Sequence, residues 1–189
     1  MFVKKVFVLL LLFVAVAETK LLNGFDITFS TVTVATFKKF KSAGFSFYVQ
    51  RLGRTDGQID ANGLSNLKNA YDAGFTDVSA YIWPCGKPVC KENAIQQMAN
   101  VINALQVKNL TINTLWIVIE SGYWQRPLNT TYNRKFIKDM VDTAENASYS
   151  VGIYLTHGWE DFGGWTKPYS RQWDQNHEEF GVEFVPIVK

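Results

Sequence analysis

Apolar positions along the chain follow two alternating periods. Short runs that alternate every second residue, or are solidly apolar, cover Leu22 to Phe29, Phe45 to Leu52, Val78 to Trp83, Thr114 to Glu120 and Val151 to Thr156. Their length and their bounding turn residues predict strands. Between them, apolar residues return every three or four positions. Val34 to Lys41 and Gly63 to Asp72 read as helices, and Lys91 to Val107 carries the stripe Ile95, Met98, Ala99, Ile102 and Leu105. Tyr132, Phe136, Ile137, Met140, Val141 and Ala144 mark another amphipathic helix. Gly44, Gly74 and Gly152 stand just before strands, where a helix ends and the chain turns. Five βα units in series predict an α/β fold, a parallel sheet covered by helices. Their even spacing favours a closed, (β/α)-barrel-like sheet over an open one. After Thr156 the pattern changes. His157 to Ser170 is rich in Gly, Trp and Pro, and Val182 to Val188 reads as a last strand. The C-terminal set of strands is therefore short, and incomplete against a full barrel.

The first 17 residues stand apart. Lys4 and Lys5 precede an apolar run from Val6 to Ala17 that ends in small residues. The run is too short to cross about 30 Å of hydrocarbon as a helix. It reads as a cleaved secretory signal, with an uncleaved anchor as the alternative. Residues 18–189 then form a single domain, secreted or delivered to a lysosomal or phagosomal lumen. The whole chain has 19 basic and 17 acidic residues; the signal contains two of the lysines and no acid. The mature chain is thus near neutral, without the basic field that gripping nucleic acid needs. No membrane contact is expected after cleavage, and a monomer is expected.

Secretion also bears on Cys85 and Cys90 in PCGKPVC, which an oxidising compartment would pair. Two free thiols or half a metal site are the alternatives. No second cysteine pair exists and His157 and His177 are far downstream, so neither a metal nor a cofactor is expected. Asn109, Asn129 and Asn146 each open a glycosylation sequon.

In a βα barrel, reactive groups gather at the C-terminal ends of the strands. In LWIVIES the strand period puts Trp116, Val118 and Glu120 on one face, and Leu115, Ile117 and Ile119 under the helices. Glu120 should look into the barrel mouth above apolar neighbours, where desolvation raises a carboxyl's pKa as a general acid requires. In LLNGFDIT, Asp26 shares a face with Gly24 and Thr28, opposite Phe25 and Ile27. Two acids from different strands at one mouth fit glycoside hydrolysis: one protonates the leaving oxygen, the other supports the cationic sugar. A strand-end Asp bonded to a backbone amide, or a solvated Glu, is the plainer reading of each. Trp83, Tyr123, Trp124, Trp159 and Trp165 could stack on sugar faces or simply fill the core, as Trp116 is expected to. Arg51 could bind an anion or pair with Asp26 or Glu120; the pairing is favoured.

GFDIT, LWIVIES with the following YW, VGIYLT and FGGWTKP, in that order, resemble glycoside hydrolase family 25, notably its lysozymes from amoebae and nematodes. The segment YIWPCGKPVC fits the same branch. The resemblance implies five βα units and three further strands. It implies cleavage of the β-1,4 bond between N-acetylmuramic acid and N-acetylglucosamine in bacterial peptidoglycan, for digestion of bacteria or defence against them. Asp26 then matches the first-strand acid and Glu120 the proton donor, with Arg51 and Tyr154 beside the aromatic residues at the mouth. Two departures stand out. The family's acid two residues before the donor is here Val118, and the stretch from VGIYLT to FGGW is shortened to His157 to Phe162. Glu183 is a weakly aligned candidate for a last-strand acid. A glycan-binding protein with impaired catalysis is the alternative function.

Overall fold

A computed structural model describes residues 22–28, 30–87, 89–120, 124, 129–155, 171–172 and 177–188. The proposed signal, Tyr123, His157, Trp159, Trp165 and the FGGWTKP segment lie outside the described residues.

Strands and helices alternate as β1 (Asn23–Ile27), α1 (Val34–Ser42), β2 (Phe47–Gly53), α2 (Ala61–Asp72), β3 (Asp77–Ile82), α3 (Ala94–Val107), β4 (Leu115–Ile119), α4 (Thr130–Asn146) and β5 (Val151–Leu155). Two short strands and a longer one follow: β6 (Arg171–Gln172), β7 (His177–Glu179) and β8 (Val182–Val188). The order across the sheet is β5-β4-β3-β2-β1-β8-β6, with β7 paired to β8. Neighbours from β1 to β5 run parallel, and β8 closes against β1 antiparallel. Three C-terminal strands, the number that the resemblance implies, are described, two of them very short.

Each helix begins where a side chain can satisfy an orphan amide. Thr33, Asp60, Asn93 and Asn129 cap α1 to α4, and Asn93 with Gln96 forms a capping box. Buried residues then recur at helical spacing, as with Phe136, Ile137, Met140 and Ala144 on α4. These stripes meet one face of the sheet. Phe25 and Ile27, Tyr48 and Leu52, Val78, Ala80 and Ile82, and Leu115, Ile117 and Ile119 all join the core with the helices. Phe25 lies at its centre, stacked on Phe40 with ring centroids 4.3 Å apart.

The opposite face is concave. Asp26, Val49, Tyr81, Trp116, Tyr154 and Ile187, one residue from each of β1 to β5 and β8, line a single pit. Since β5 and β8 lie toward opposite ends of the sheet order, a shared pit requires the sheet to curl, as the barrel-like expectation holds. Trp116, expected as core, faces this pit. Its ring fits because its register partner is Gly152, where a Cβ would stand 2.2 Å from that ring. β7 and β8 are joined by Phe180 and Gly181, both at positive φ (54° and 73°), the hand that suits a two-residue hairpin. Among the described residues no helix is long and apolar enough to cross a membrane.

Candidate active site

Asp26 is placed by the alternation of β1: Phe25 and Ile27 are drawn under the helices, so the residue between them points into the pit. It is 6% exposed. Burial pushes its carboxyl up to about 7, although a hydrogen bond from Thr28 and the charge of Arg51 both pull it down. Desolvation is therefore the larger effect. Thr28 Oγ1 lies 3.1 Å from the hydroxyl of Tyr81, which ties β1 to β3 across the pit. Burial also raises the Tyr81 phenol, and the charge of Asp26 adds to the rise. That hydroxyl stays protonated and can donate.

Glu120 immediately follows β4 and is half-buried. Desolvation lifts its carboxyl above the usual range. Tyr154 links the two acids. Its phenol is pushed upward by burial, then by the negative charges of both Asp26 and Glu120. Its register partner on β4 is Val118, which is 2% exposed and absent from the helix-side core cluster. The position where the resemblance implies an acid is thus buried and apolar, with a phenol on the neighbouring strand.

Arg51 departs from expectation. It engages the carboxylate of Asp60, with Nη2 2.8 Å from Oδ2, and acts on Asp26 as a charge through space. Asp60 is the N-cap of α2, a role that an Asp ahead of a helical run advertises, but the sequence reading began that helix at Gly63. Trp124 is also displaced from the role expected of it. It is 1% exposed, packs edge-on to Phe136, and bridges to Gly86, where a Cβ would come within 2.6 Å of the indole. With its ring covered, Trp124 builds the wall of the mouth and offers no stacking face. Trp83, just past β3, is partly exposed.

The disulfide between Cys85 and Cys90 forms, with Cα atoms 5.9 Å apart. Buried Gln97 holds the same loop, accepting from the Cys85 amide and donating to the carbonyls of Cys85 and Glu92. Asn129 is exposed at the start of α4, the end of the sheet that carries the site. Asn109 and Asn146 are exposed at the far ends of α3 and α4. Glu183 is exposed on the β7–β8 hairpin opposite Glu178, two residues from Val185, which pairs with Asp26. No described cluster of His, Cys, Asp and Glu could hold a metal ion. Tyr81 and Asp60 went unnoticed in the sequence. The strand period alone puts Tyr81 on the pit face, two residues before Trp83.

Known proteins resemble this chain in sequence and in fold. The family described as Lysozyme-like protein 1 matches residues 17–159. Lysozyme-like protein 5 of Caenorhabditis elegans is 36% identical, across 90% of this chain and 91% of its own. Probable GH family 25 lysozyme 2 of Dictyostelium discoideum is 27% identical, across 86% and 88%. Among solved structures, the catalytic domain of endolysin ply40 from Listeria bacteriophage P40 superposes with a TM-score of 0.64. It is 13% identical, with 90% of this chain and 93% of that one covered. A family 25 glycosyl hydrolase from Bacillus anthracis gives 0.58 at 10% identity, covering 88% of each chain. At such identities the two structures establish the shared fold.

Proposed function

Because the chain belongs to the lysozyme-like family, within glycoside hydrolase family 25, we propose that it is a secreted lysozyme. It would hydrolyse the β-1,4 bond between N-acetylmuramic acid and N-acetylglucosamine in bacterial peptidoglycan, for digestion or defence. The observation that carries this reading is the pair of acids at the ends of β1 and β4, both raised by burial and both felt by Tyr154. Glu120, at the rim, is the proton donor. A glycan seated over it strips away its remaining water and raises its carboxyl further. Asp26, deeper in the pit, supports positive charge as it develops on the sugar. Its ionised form is the useful one, and the cation forming above it favours that form. Trp83, Tyr154 and the undescribed Tyr123 would hold the sugars. The test is release of reducing ends from peptidoglycan by the purified protein, with Glu120→Gln beside it. Equal release by both would sink the assignment.

Val118 favours a second reading, a glycan-binding protein that has lost turnover. That reading predicts saturable binding of peptidoglycan fragments without reducing-end release. Val118→Asp discriminates between the two. A gain in rate of about 10²-fold or more, the range of one positioned acid–base group, would show that the remaining machinery is intact. A rate unchanged from a silent wild type would favour the binding protein.

A further inference from the structure

The site includes a charged pair that the chemistry above leaves unused. Arg51 lies two residues beyond Val49, on the pit face of β2, and its register partner on β3 is Tyr81. Its side chain is 11% exposed and that of Asp60 10%. Nε at 3.2 Å and Nη2 at 2.8 Å both donate to the same Asp60 oxygen. Asp60 is itself fixed. Its amide donates to the Leu52 carbonyl at 2.8 Å, and its Oδ1 accepts from the Gly63 amide at 3.3 Å. A Cβ on Gly63 would stand 2.3 Å from the Arg51 carbonyl oxygen, so a glycine is what lets α2 approach this closely. One carboxylate thus binds the start of α2, the end of β2 and a guanidinium into a unit. A buried ion pair has a high desolvation cost and is weak evidence of a stabilising role.

We propose that Asp60 is a positioning residue: by clamping Arg51 it fixes a cation beside Asp26 and keeps that acid able to ionise inside an otherwise apolar pit. The proposal rests on Asp26 being the site's ionised acid. The groups around Asp26 are Thr28 on its own strand, Arg51 from β2, Tyr81 from β3, Glu120 at the end of β4, and Tyr154 from β5. Tyr48, on the helix side, also feels its charge. On β8 the nearest residues are Val185 and Ile187, with Glu183 further along. Among these described groups Arg51 alone is cationic. Arg51 acts on Asp26 as a charge through space, and Asp60 holds that guanidinium by two hydrogen bonds, so the route from Asp60 to Asp26 runs through Arg51.

The test follows the Asp26 carboxyl by 13C NMR titration of the purified protein, assigned by its loss in Asp26→Asn. Removing an adjacent cation should raise the midpoint by about one unit in Arg51→Gln, and by less in Arg51→Lys. Asp60→Asn keeps an oxygen for the Gly63 cap but gives up the anionic clamp. It should raise the midpoint by about half a unit, and add nothing once Arg51→Gln is present. The double variant strands no buried ion and remains measurable if Arg51→Gln alone unfolds. A double-variant midpoint within about 0.3 unit of wild type, or an Asp60→Asn shift equally large with and without Arg51, would overturn the proposal. The titration needs no turnover. Shifted midpoints in a protein that releases no reducing ends would therefore count against the lysozyme reading while supporting the clamp.

Discussion

On β1, Phe25 and Ile27 face the helices and are fully buried, while Asp26 between them faces the pit and is also buried. On β4, Ile117 and Ile119 enter the helix-side core, and Glu120, one residue on, ends at the mouth. Neighbours one bond apart thus serve different ends. The helix side gains free energy from burying hydrocarbon, at roughly 25 cal/mol per Å². The pit side gives some back by desolvating carboxyls. The strand period does the sorting, so a one-residue register slip would exchange the two populations.

The sharpest way to break this comparison is to change adjacent residues. Glu120→Gln should lower reducing-end release by about 10²- to 10⁴-fold, the range for a general acid, with little change in thermal unfolding. Ile119→Ala should do the reverse. It opens a cavity on the helix side and should cost about 2–5 kcal/mol, read by urea unfolding, with turnover per folded molecule largely kept. A folded but inactive Ile119→Ala would show that the two faces are not separable.

Asp26→Asn tests the cost of the pit. Burial pushes the carboxyl up to about 7 in the folded protein, from an ordinary value of 3.8. Between those values the folded state binds the extra proton, so this residue's contribution to stability falls as pH rises through the window. The asparagine variant should match wild type near pH 4. It should then gain progressively, to at most about 4 kcal/mol above pH 7, while losing activity. Stability curves for the two proteins that stay parallel from pH 4 to 8 would refute the inverted balance.

Most of the architecture was legible in the sequence because the periodic segments are long and capped. The five parallel strands, four helices and β8 lie within a few residues of their expected places. β6 and β7 were not legible, because two- and three-residue strands carry no period and are fixed by pairing with β8. At the site, alternation put Asp26 and Glu120 on the concave face. It could not give Arg51 its partner, since Asp60 reaches it through the α2 cap, a contact between elements. Nor could it show that Trp124 is covered, which depends on that residue docking against Gly86.

The smallest effect is expected at the wall, where two devices hold the same loop. Replacing Cys85 and Cys90 by Ser releases a very short loop, and chain entropy sets the loss at about 2 kcal/mol or less. Gln97 still holds the Cys85 amide at 2.9 Å and its carbonyl at 3.1 Å. The loop should therefore keep its shape, and indole fluorescence should change little. Gln97→Ala leaves the disulfide intact but abandons part-buried backbone groups, at about 1–3 kcal/mol or less, and should shift the emission by loosening the packing of Gly86 on Trp124. In both variants the Asp26 titration should stay where it is, because the charge and the hydrogen bond that act on it come from Arg51 on β2 and Thr28 rather than from this wall. A displaced Asp26 midpoint in either one would mean that the wall and the pit are coupled, and that the division between the strand faces does not extend to the loops above them.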